Sequence, residues 1–210
     1  MRICRKPPYG NVVGSQMLSS AVKARLLDSN PLQALRVTAV GNKKRQYFVT
    51  EPESQKVLDA CPDAEWRACF ALARYGALRI PSEILELKWE DIDWANERFL
   101  VHAPKTEHHD NDGDRVPPLF PKVHKALSEL WDQAPEGAVY VLPNIRKITN
   151  VNPQLGRIIK RAGLKVWPKR WQNLRATRAT ELRRHFPEEV VTDWCGHTEA
   201  IASEHYWMTL

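Results

Sequence analysis

The stretch GHTEAIASEHYWMTL, residues 196–210, places His197 nine positions ahead of Tyr206. An isolated tyrosine is a weak nucleophile, because its phenol has an unperturbed pKa near ~10. It becomes reactive only where cationic groups surround it and a phosphate is held in front of it. The pattern therefore directs attention to the arginines elsewhere in the chain.

Two upstream segments supply arginines of the kind that such a tyrosine needs. WQNLRATRATEL (171–182) contains Arg175, and RYGALRIPSEILELKWEDID (74–93) contains Arg79. A guanidinium group presents paired N–H donors to two phosphate oxygens at once, which an ammonium group cannot do. Together with Tyr206, the two arginines predict a phosphate site with a tyrosine aimed at it.

Charge is distributed unevenly along the 210 residues. The net charge is +6, which is only mildly basic for this length. Residues 143–186, however, carry twelve Lys or Arg against Glu181 alone, and 187–210 carry five acids and no Lys or Arg. A basic stretch that is not of low complexity indicates a polyanion partner such as nucleic acid, with a solvated surface as the simpler alternative.

The cysteines and the apolar segments favour a reduced compartment inside the cell. The four cysteines, which form neither a CxxC pair nor a metal-ligand spacing, are Cys4, Cys61, Cys69 and Cys195. The most apolar run, around 68–80, is interrupted by Arg74 and Arg79, so no segment approaches a membrane span. The N-terminus, MRICRKPPYG, lacks the apolar stretch of a secretory signal. We therefore expect a cytoplasmic, nucleoid-associated protein with no membrane partner.

The first 45 residues are predicted to form no complete domain. Residues 1–14 lack periodicity and are expected to be loose, whereas 15–29 place apolar residues near one helical stripe up to Asn30-Pro31. Residues 32–49 are a linker with the basic cluster Lys43-Lys44-Arg45. A single helix before a linker has nothing of its own to pack on. It indicates the end of a missing domain, or a helix that docks on a partner.

The rest of the chain predicts a mainly helical, α+β domain with one small antiparallel sheet. Thr50 and Glu53 form a capping-box pattern at the start of its first helix. Helices are predicted at about 51–60, 64–77, 81–88, 121–133, 150–161, 173–185, 188–194 and 199–207. Residues 90–119 have strand character, and HHDNDGD (108–114) has the composition of a hairpin tip.

Four motifs in a fixed order give the chain a family resemblance. They are GALRIPSE (76–83) followed by LKWEDID (87–93), Lys105-Thr106 in the hairpin, NLRATRATEL (173–182), and GHTEAIASEHY (196–206). Through these motifs, residues 46–207 resemble the catalytic domain of the tyrosine recombinases, the phage-integrase family. The resemblance implies the DNA breaking-rejoining fold of that family, with residues 46–210 as the catalytic domain.

The resemblance also implies a role for each residue of the site. Arg79 and Arg175 would hold the non-bridging oxygens of a scissile phosphodiester, and Tyr206 would attack it to form a 3′-phosphotyrosyl link. Lys105 would protonate the leaving 5′-oxygen, and a lysine between arginines should have a depressed pKa. His197 would donate to a non-bridging oxygen. The family's chemistry needs no divalent metal or nucleotide, so no cofactor is expected.

Two positions depart from the family's pattern. Glu83 follows Arg79 by four residues instead of three, so it either orients that guanidinium or is a plain helix-start carboxylate. Gln172 stands three residues before Arg175, where the family usually has a histidine. Glutamine can hydrogen-bond a phosphate oxygen but cannot accept a proton at neutral pH. A slow enzyme is therefore expected.

Double-stranded DNA is the expected partner. Six basic residues are candidates for sequence-independent phosphate contacts: Arg157, Lys160, Arg161, Lys165, Lys169 and Arg170. The resemblance accounts for only the last helix (15–29) of an N-terminal core-binding domain, and only four residues follow Tyr206. We expect a homotetramer on DNA for a full-length form and a monomer for this chain, which would be either a truncated piece or a decayed gene product.

The predicted function is that of a site-specific recombinase, an integrase of mobile DNA. Two alternatives stay open: a catalytically weak or inactive DNA-binding remnant, and a nick-and-reseal enzyme of the type IB topoisomerase kind. A metal site is a weaker interpretation. Asp110, Asp112 and Asp114 resemble the first half of a calcium loop, but Gly113 is misplaced and the twelfth position is Pro121.

Overall fold

The computed structural model describes residues 9–32, 45–102, 114–196 and 208. The chain divides into two compact units, Met1–Asn42 and Lys43–Leu210. In the described part there are seven α-helices and one two-stranded antiparallel sheet, which confirms the predicted mainly helical α+β fold. No helix in these ranges is both long and apolar enough to cross a membrane.

The first unit contains helix α1, Tyr9–Lys23. Its predicted bounds, 15–29, were wrong at both ends, since the helix begins at Tyr9 and already ends at Lys23, well before Asn30-Pro31. Residues 9–14 are therefore helical and not loose. The expectations for 1–8 and 33–44 lie outside the described residues.

The early end of α1 has a local cause in the backbone. Arg25 adopts a left-handed conformation with φ of 58°, and Leu26 donates its N–H to the Ala21 carbonyl at 2.9 Å. Such a bond across five residues closes a helix. After this turn the Asn30 side-chain amide donates to the Ser19 hydroxyl at 2.8 Å and fixes the segment against α1. Apolar residues continue the helical stripe past Lys23, so periodicity alone placed the end too late.

The described residues of the second unit contain six helices: α2 Glu51–Asp59, α3 Ala64–Arg74, α4 Pro121–Trp131, α5 Asn152–Arg161, α6 Arg170–Leu182 and α7 Glu188–Cys195. They confirm six of the predicted helices, with ends that shift by up to three residues. Glu53 accepts hydrogen bonds from the Thr50 N–H and hydroxyl, both at 2.8 Å, so the predicted capping interaction is present. The predicted helix at 199–207 lies outside the described residues.

Helix α3 is the centre of the second unit. Ten of its residues are buried, and it packs against α2, α4 and α6. Asp63 caps its start by accepting the Trp66 N–H at 2.8 Å. A helix that is buried on nearly every side must carry small or apolar residues all round, as AEWRACFALAR largely does.

The last residue of α3, Arg74, is fully buried and ties three segments together. Its guanidinium donates to the Ser54 hydroxyl at 2.9 Å and to the Val49 carbonyl at 3.1 Å. It also forms a two-point contact with the Glu181 carboxylate of α6, at 2.8 and 2.5 Å. A buried arginine is tolerated here because its donors have acceptors on every side.

A tight turn after α3 delivers the chain to the site. A side chain at Gly76 would place its Cβ 2.8 Å from the Leu72 carbonyl oxygen, so only glycine fits there. Ala77 follows in the left-handed region with φ of 57° and is buried. The turn sends Leu78 into the core and brings Arg79 to the edge of the domain.

The predicted helix at 81–88 was wrong, because this segment is a series of turns. Single hydrogen bonds join Glu83 N–H to the Arg79 carbonyl at 3.1 Å and Leu85 N–H to the Pro81 carbonyl at 3.2 Å. Pro81 would be tolerated at the first position of a helix, so it does not by itself prevent one. The side chain of Glu83 points into the domain instead, where it is buried.

The sheet pairs β1 Ile92–Asp93 with β2 Arg98–Phe99, in the register Ile92 with Phe99 and Asp93 with Arg98. The pairing continues past β2, where Val101 and Arg115 exchange backbone hydrogen bonds of 2.9 and 3.2 Å. The predicted strand character of 90–119 is thus confirmed at these positions. The hairpin tip at 103–113 lies outside the described residues.

Candidate active site

Arg79 lies at the edge of the second unit, directly after the tight turn that follows α3. Its Nη1 donates to Glu83 Oε1 at 2.9 Å, and its backbone N–H donates to Glu83 Oε2 at 2.6 Å. Its side chain is 32% exposed, so solvent reaches part of the guanidinium. Glu83 therefore partly neutralises the charge of Arg79, and part of the Arg79 guanidinium stays accessible to solvent.

The carboxylate of Glu83 is shared among three arginines. Besides Arg79, it accepts two hydrogen bonds from Arg115, at 2.9 and 2.6 Å, and one from Arg175 at 3.5 Å. Burial alone would raise the pKa of Glu83. The hydrogen bonds and charge of Arg115, with the charge of Arg175, outweigh burial and hold that pKa below its ordinary value. Glu83 is consequently an anion at neutral pH.

The three guanidinium groups also converge on the end of α7. Each donates to one of three consecutive backbone carbonyls: Arg115 to Trp194, Arg175 to Cys195, and Arg79 to Gly196. The carbonyls of a helix C-terminus have no partners within the helix and carry a partial negative charge. The arginines supply the missing donors, and this holds the turn directly before His197 against the cluster.

The members of this cluster differ in their access to solvent. Among the described residues, the three guanidinium groups share the carboxylate of Glu83 and the partial negative charge of the α7 terminus. Arg115 and Arg175 are almost fully buried, with 2% and 3% of their side chains exposed, so Arg79 is the accessible member. A solvent-exposed arginine beside two buried ones is suited to binding an anion.

Arg115 was missed by the sequence analysis. The local signal was available, because alternate positions of a strand face opposite sides. Val116 is 46% exposed and Arg115 is 4% exposed, so the arginine is the inward-facing residue of the pair. An inward-facing arginine in a strand needs a buried acid, but sequence alone does not show which acid it meets.

Three predicted site residues lie outside the described residues: Lys105, His197 and Tyr206. Residues close to each of them in the chain are described. His102 lies at the base of the hairpin and bonds Asp114 at 2.8 Å and Asp91 at 3.3 Å. Burial works against a charged imidazole, but these two hydrogen bonds outweigh it and raise the pKa of His102. The contact between His102 and Asp114 thus links the two chain segments on either side of Lys105.

The chain beyond Tyr206 also has a described anchor. Met208 donates its backbone N–H to the Thr180 hydroxyl at 3.1 Å and is buried. Thr180 belongs to α6, the helix that carries Arg175. The residue two positions after Tyr206 is therefore attached to the same helix as one of the site arginines.

Gln172 and Arg175 both lie in α6, which begins at Arg170 instead of the predicted 173. They differ sharply in environment, since Gln172 is exposed whereas Arg175 is buried. The backbone of Lys169, directly before the helix, is left-handed with φ of 44°. The side chain at position 172 is thus on the solvent side of the first turn, three residues before the buried arginine.

The six basic residues proposed to contact phosphates fall into two groups. Five are exposed: Arg157, Lys160, Arg161, Lys165 and Lys169. Arg170 is only half-buried, and its guanidinium lies 3.4 Å from the position that a Cβ on Gly156 would occupy. Arg170 therefore packs α6 against α5, which makes it a weaker candidate for contact with an outside anion.

Solved structures similar to this chain share its fold. The crystal structure of XerA recombinase has a TM-score of 0.64 and 20% identity, with 98% of this chain and 81% of that chain covered. A lambda integrase tetramer bound to a Holliday junction has a TM-score of 0.69 and 18% identity, with coverage of 95% and 60%. The Tn1549 transposon integrase in complex with transposon right end DNA has a TM-score of 0.68 and 17% identity, with coverage of 93% and 72%.

The sequence itself identifies the family more directly. No curated protein matches the chain. The model of the phage integrase family, however, matches residues 47–208, which include the whole arginine cluster and the segments that lead to Lys105, His197 and Tyr206. Since this match covers well over half of the 210 residues, the chain belongs to the phage integrase family, the tyrosine recombinases.

Proposed function

We propose that this chain is a site-specific DNA recombinase that cleaves and rejoins DNA through a covalent bond to Tyr206. The observation that carries the proposal is the convergence of Arg79 and Arg175 on one buried carboxylate and one helix end. These arginines come from segments almost a hundred residues apart, and their placement leaves the guanidinium of Arg79 accessible at the edge of the domain. Family membership supports the proposed reaction class.

In the cleavage step, the Tyr206 phenolate oxygen attacks the scissile phosphorus and forms a 3′-phosphotyrosyl bond. The bond from phosphorus to the 5′-oxygen breaks, and Lys105 gives that oxygen its proton. Arg79 and Arg175, together called the arginine clamp, bind the non-bridging oxygens as charge builds on them, and His197 donates to one of them. Rejoining is the reverse: a 5′-hydroxyl attacks the phosphotyrosyl bond and releases Tyr206. No metal or nucleotide takes part in these steps.

The exposed Gln172 sets the expected speed of this reaction. A residue at this position, three before Arg175, could take the phenolic proton if it were a base, and glutamine is not one. Tyrosine deprotonation would then depend on water and on the electrostatic help of the arginines. Loss of a positioned general base typically costs about 10²-fold or more, so slow cleavage is the consistent expectation.

The proposed partner is double-stranded DNA. The five exposed basic residues of α5 and of the segment between α5 and α6 provide phosphate contacts that position the duplex. We further propose that residues 46–210 act as the catalytic domain and that a full-length form works as a homotetramer on DNA, with this chain monomeric when free.

Covalent trapping on nicked duplex DNA tests the proposal. The substrate pool includes DNA that flanks the coding sequence, and denaturing gels detect protein joined to DNA. We expect a protease-sensitive adduct from the wild type and none from Tyr206→Phe. Tyr140→Phe is the matched control, because Tyr140 lies half-buried under Arg146, at 4.0 Å from its ring centre, and outside the cluster.

Three outcomes contradict parts of the proposal. DNA binding without an adduct from the wild type identifies a binding remnant, the first alternative from the sequence. Adduct formation with supercoil relaxation but no strand exchange identifies a nick-and-reseal enzyme. Tyr206→Phe protein that still forms an adduct rules out this tyrosine as the nucleophile.

A further inference from the structure

Arg115 connects three parts of the domain. Its backbone pairs with Val101 next to the sheet, where the chain returns from the hairpin. Its guanidinium binds both oxygens of Glu83, at 2.9 and 2.6 Å. Its Nε donates to the Trp194 carbonyl at 2.8 Å. The hairpin, the turn segment after Arg79 and the end of α7 are therefore joined through this residue.

The space around Arg115 is closely fitted. A Cβ on Gly196 would lie 3.1 Å from both Cδ and Nη1 of Arg115, and the backbone of Gly196 is left-handed with φ of 62°. Glycine is thus favoured at 196 both by its backbone and by the neighbouring arginine. Gly196, the residue before His197, approaches the cluster closely because it has no side chain to meet Arg115.

Arg115 holds the carboxylate that orients the arginine clamp. Oε1 of Glu83 accepts from Arg79 and Arg115, and Oε2 accepts from the Arg79 N–H, from Arg115 and from Arg175. The paired bonds from Arg115 are the only two-point guanidinium contact that Glu83 makes in the described part of the chain. A planar fork fixes the plane of the carboxylate as well as its place, which a single bond does not.

A second buried pair shows what a purely structural arginine looks like in this protein. Arg74 binds both oxygens of Glu181, at 2.8 and 2.5 Å, and is likewise fully buried. Its other acceptors, Ser54 and Val49, belong to the start of the second unit and not to the cluster. Arg74 and Arg115 therefore share burial, charge and pairing, but only Arg115 shares its carboxylate with the clamp.

The geometry points to Arg115 as a positioning residue for the arginine clamp. By fixing Glu83 and the end of α7 together, it sets where Arg79 and Arg175 present their donors to a phosphate. Because it lies where the strand returns from the hairpin, it also fixes the root of the Lys105 segment relative to the clamp. This inference rests on the proposed recombinase function.

Single-turnover cleavage at saturating DNA is the first measurement, with DNA affinity measured in parallel. The variants are Arg115→Met, Arg115→Lys and the matched control Arg74→Met, each compared per mole of folded protein. Displacement of reacting groups by about 1 Å can cost about 10²-fold in rate. We expect a loss of about that size for Arg115→Met, a smaller loss for Arg115→Lys, unchanged DNA affinity for both, and no such loss for Arg74→Met.

A double variant tests whether Arg115 acts through Glu83. Glu83→Gln and Arg115→Met should each slow cleavage, and the combination should be no slower than the worse single variant, since both remove the same link. Multiplying effects would show that Arg115 acts independently of Glu83 and would overturn the inference. Equal losses of cleavage rate in Arg115→Met and Arg74→Met would show that both variants act through general destabilisation, and this would also overturn the inference.

A readout in the DNA-free protein separates this inference from the proposed function. The measurement is ¹⁵N NMR of the guanidinium N–H groups of Arg79 and Arg175, which gives the rate at which their protons exchange with water. We expect faster exchange of these protons in Arg115→Lys, which retains the charge, and unchanged exchange in Arg74→Met. Unchanged exchange in Arg115→Lys overturns the inference, whether or not the wild type cleaves DNA. A wild type that forms no adduct contradicts only the proposed function.

Discussion

Met208 donates its backbone N–H to the side-chain hydroxyl of Thr180 at 3.1 Å, across 28 positions of sequence. The same hydroxyl donates to the Ala176 carbonyl at 2.8 Å, so it is held within α6 while it accepts from Met208. This hydroxyl is the described link between the segment that follows Tyr206 and the helix that carries Arg175.

Thr180→Val should slow formation of the tyrosyl adduct by loosening this link. A hydrogen bond of this kind contributes about 1 kcal/mol net, which corresponds to a rate loss of roughly fivefold if the anchor is needed to place Tyr206. Thr180→Ser retains the hydroxyl and should retain the rate. Thr192→Val is the matched control, because Thr192 is equally buried and its hydroxyl bonds only the Glu189 carbonyl among described residues. Equal effects of the two valine variants would contradict the role of the anchor.

Gln172→His should accelerate cleavage by about 10²-fold, since it places a titratable base three residues before Arg175. A histidine acts as a base only when neutral, so the rate of the variant should rise with pH through about 6.5, whereas the wild type should lack this step. Single-turnover rates between pH 5.5 and 8.5 measure both effects. An unchanged rate and profile would mean that position 172 takes no part in proton transfer.

Glu83→Gln should lower the free energy of unfolding by about 3–5 kcal/mol, because it leaves buried arginines without their carboxylate. The pKa of Glu83 is depressed in the folded protein, so its contribution is present above its unfolded pKa of about 4.3 and is lost as pH falls through the folded value. Urea unfolding at pH 7 and in acid measures this. The difference between wild type and variant should shrink in acid, and a constant difference would show that the carboxylate charge is not responsible.

Neutralising the exposed basic residues should reduce the salt dependence of DNA binding. The slope of log K against log salt should flatten by about 0.9 for each phosphate contact removed, so Lys160→Gln with Lys165→Gln should flatten it by about 1.8. Lys125→Gln is the control, because this exposed lysine of α4 lies beside Glu129 and outside the basic set. Arg170→Gln should instead lower folding stability. An unchanged slope in the double variant would remove these residues from the DNA surface.

Local sequence patterns predicted the parts of this protein that depend on neighbouring residues. The capping box at Thr50 and the six confirmed helices follow from periodicity and end signals within a dozen residues. The two arginines were found because each stands inside a recognisable motif. The bounds of α1 were wrong because a backbone turn at Arg25 ends the helix while apolar residues continue.

The interior of the site could not be predicted in the same way. Glu83 was known to lie near Arg79 in sequence, yet its contacts with Arg115 and Arg175 depend on strand pairing and on the packing of α6. The turn segment at 81–88 was predicted as a helix because its apolar residues fit that period. The buried ion pairs of Glu83 with Arg115 and Arg175 accompany the turns that form instead, and these pairs are long-range contacts.

The bond between Arg79 and the Gly196 carbonyl joins residues 117 positions apart. At a synthesis rate of about 5–20 residues per second, Gly196 is added roughly ten seconds after Arg79. Until then Arg79 has no helix end to bind, and for most of that interval Arg175 has not been made either. The proposed active site can therefore be completed only after the polypeptide has been extended past α7.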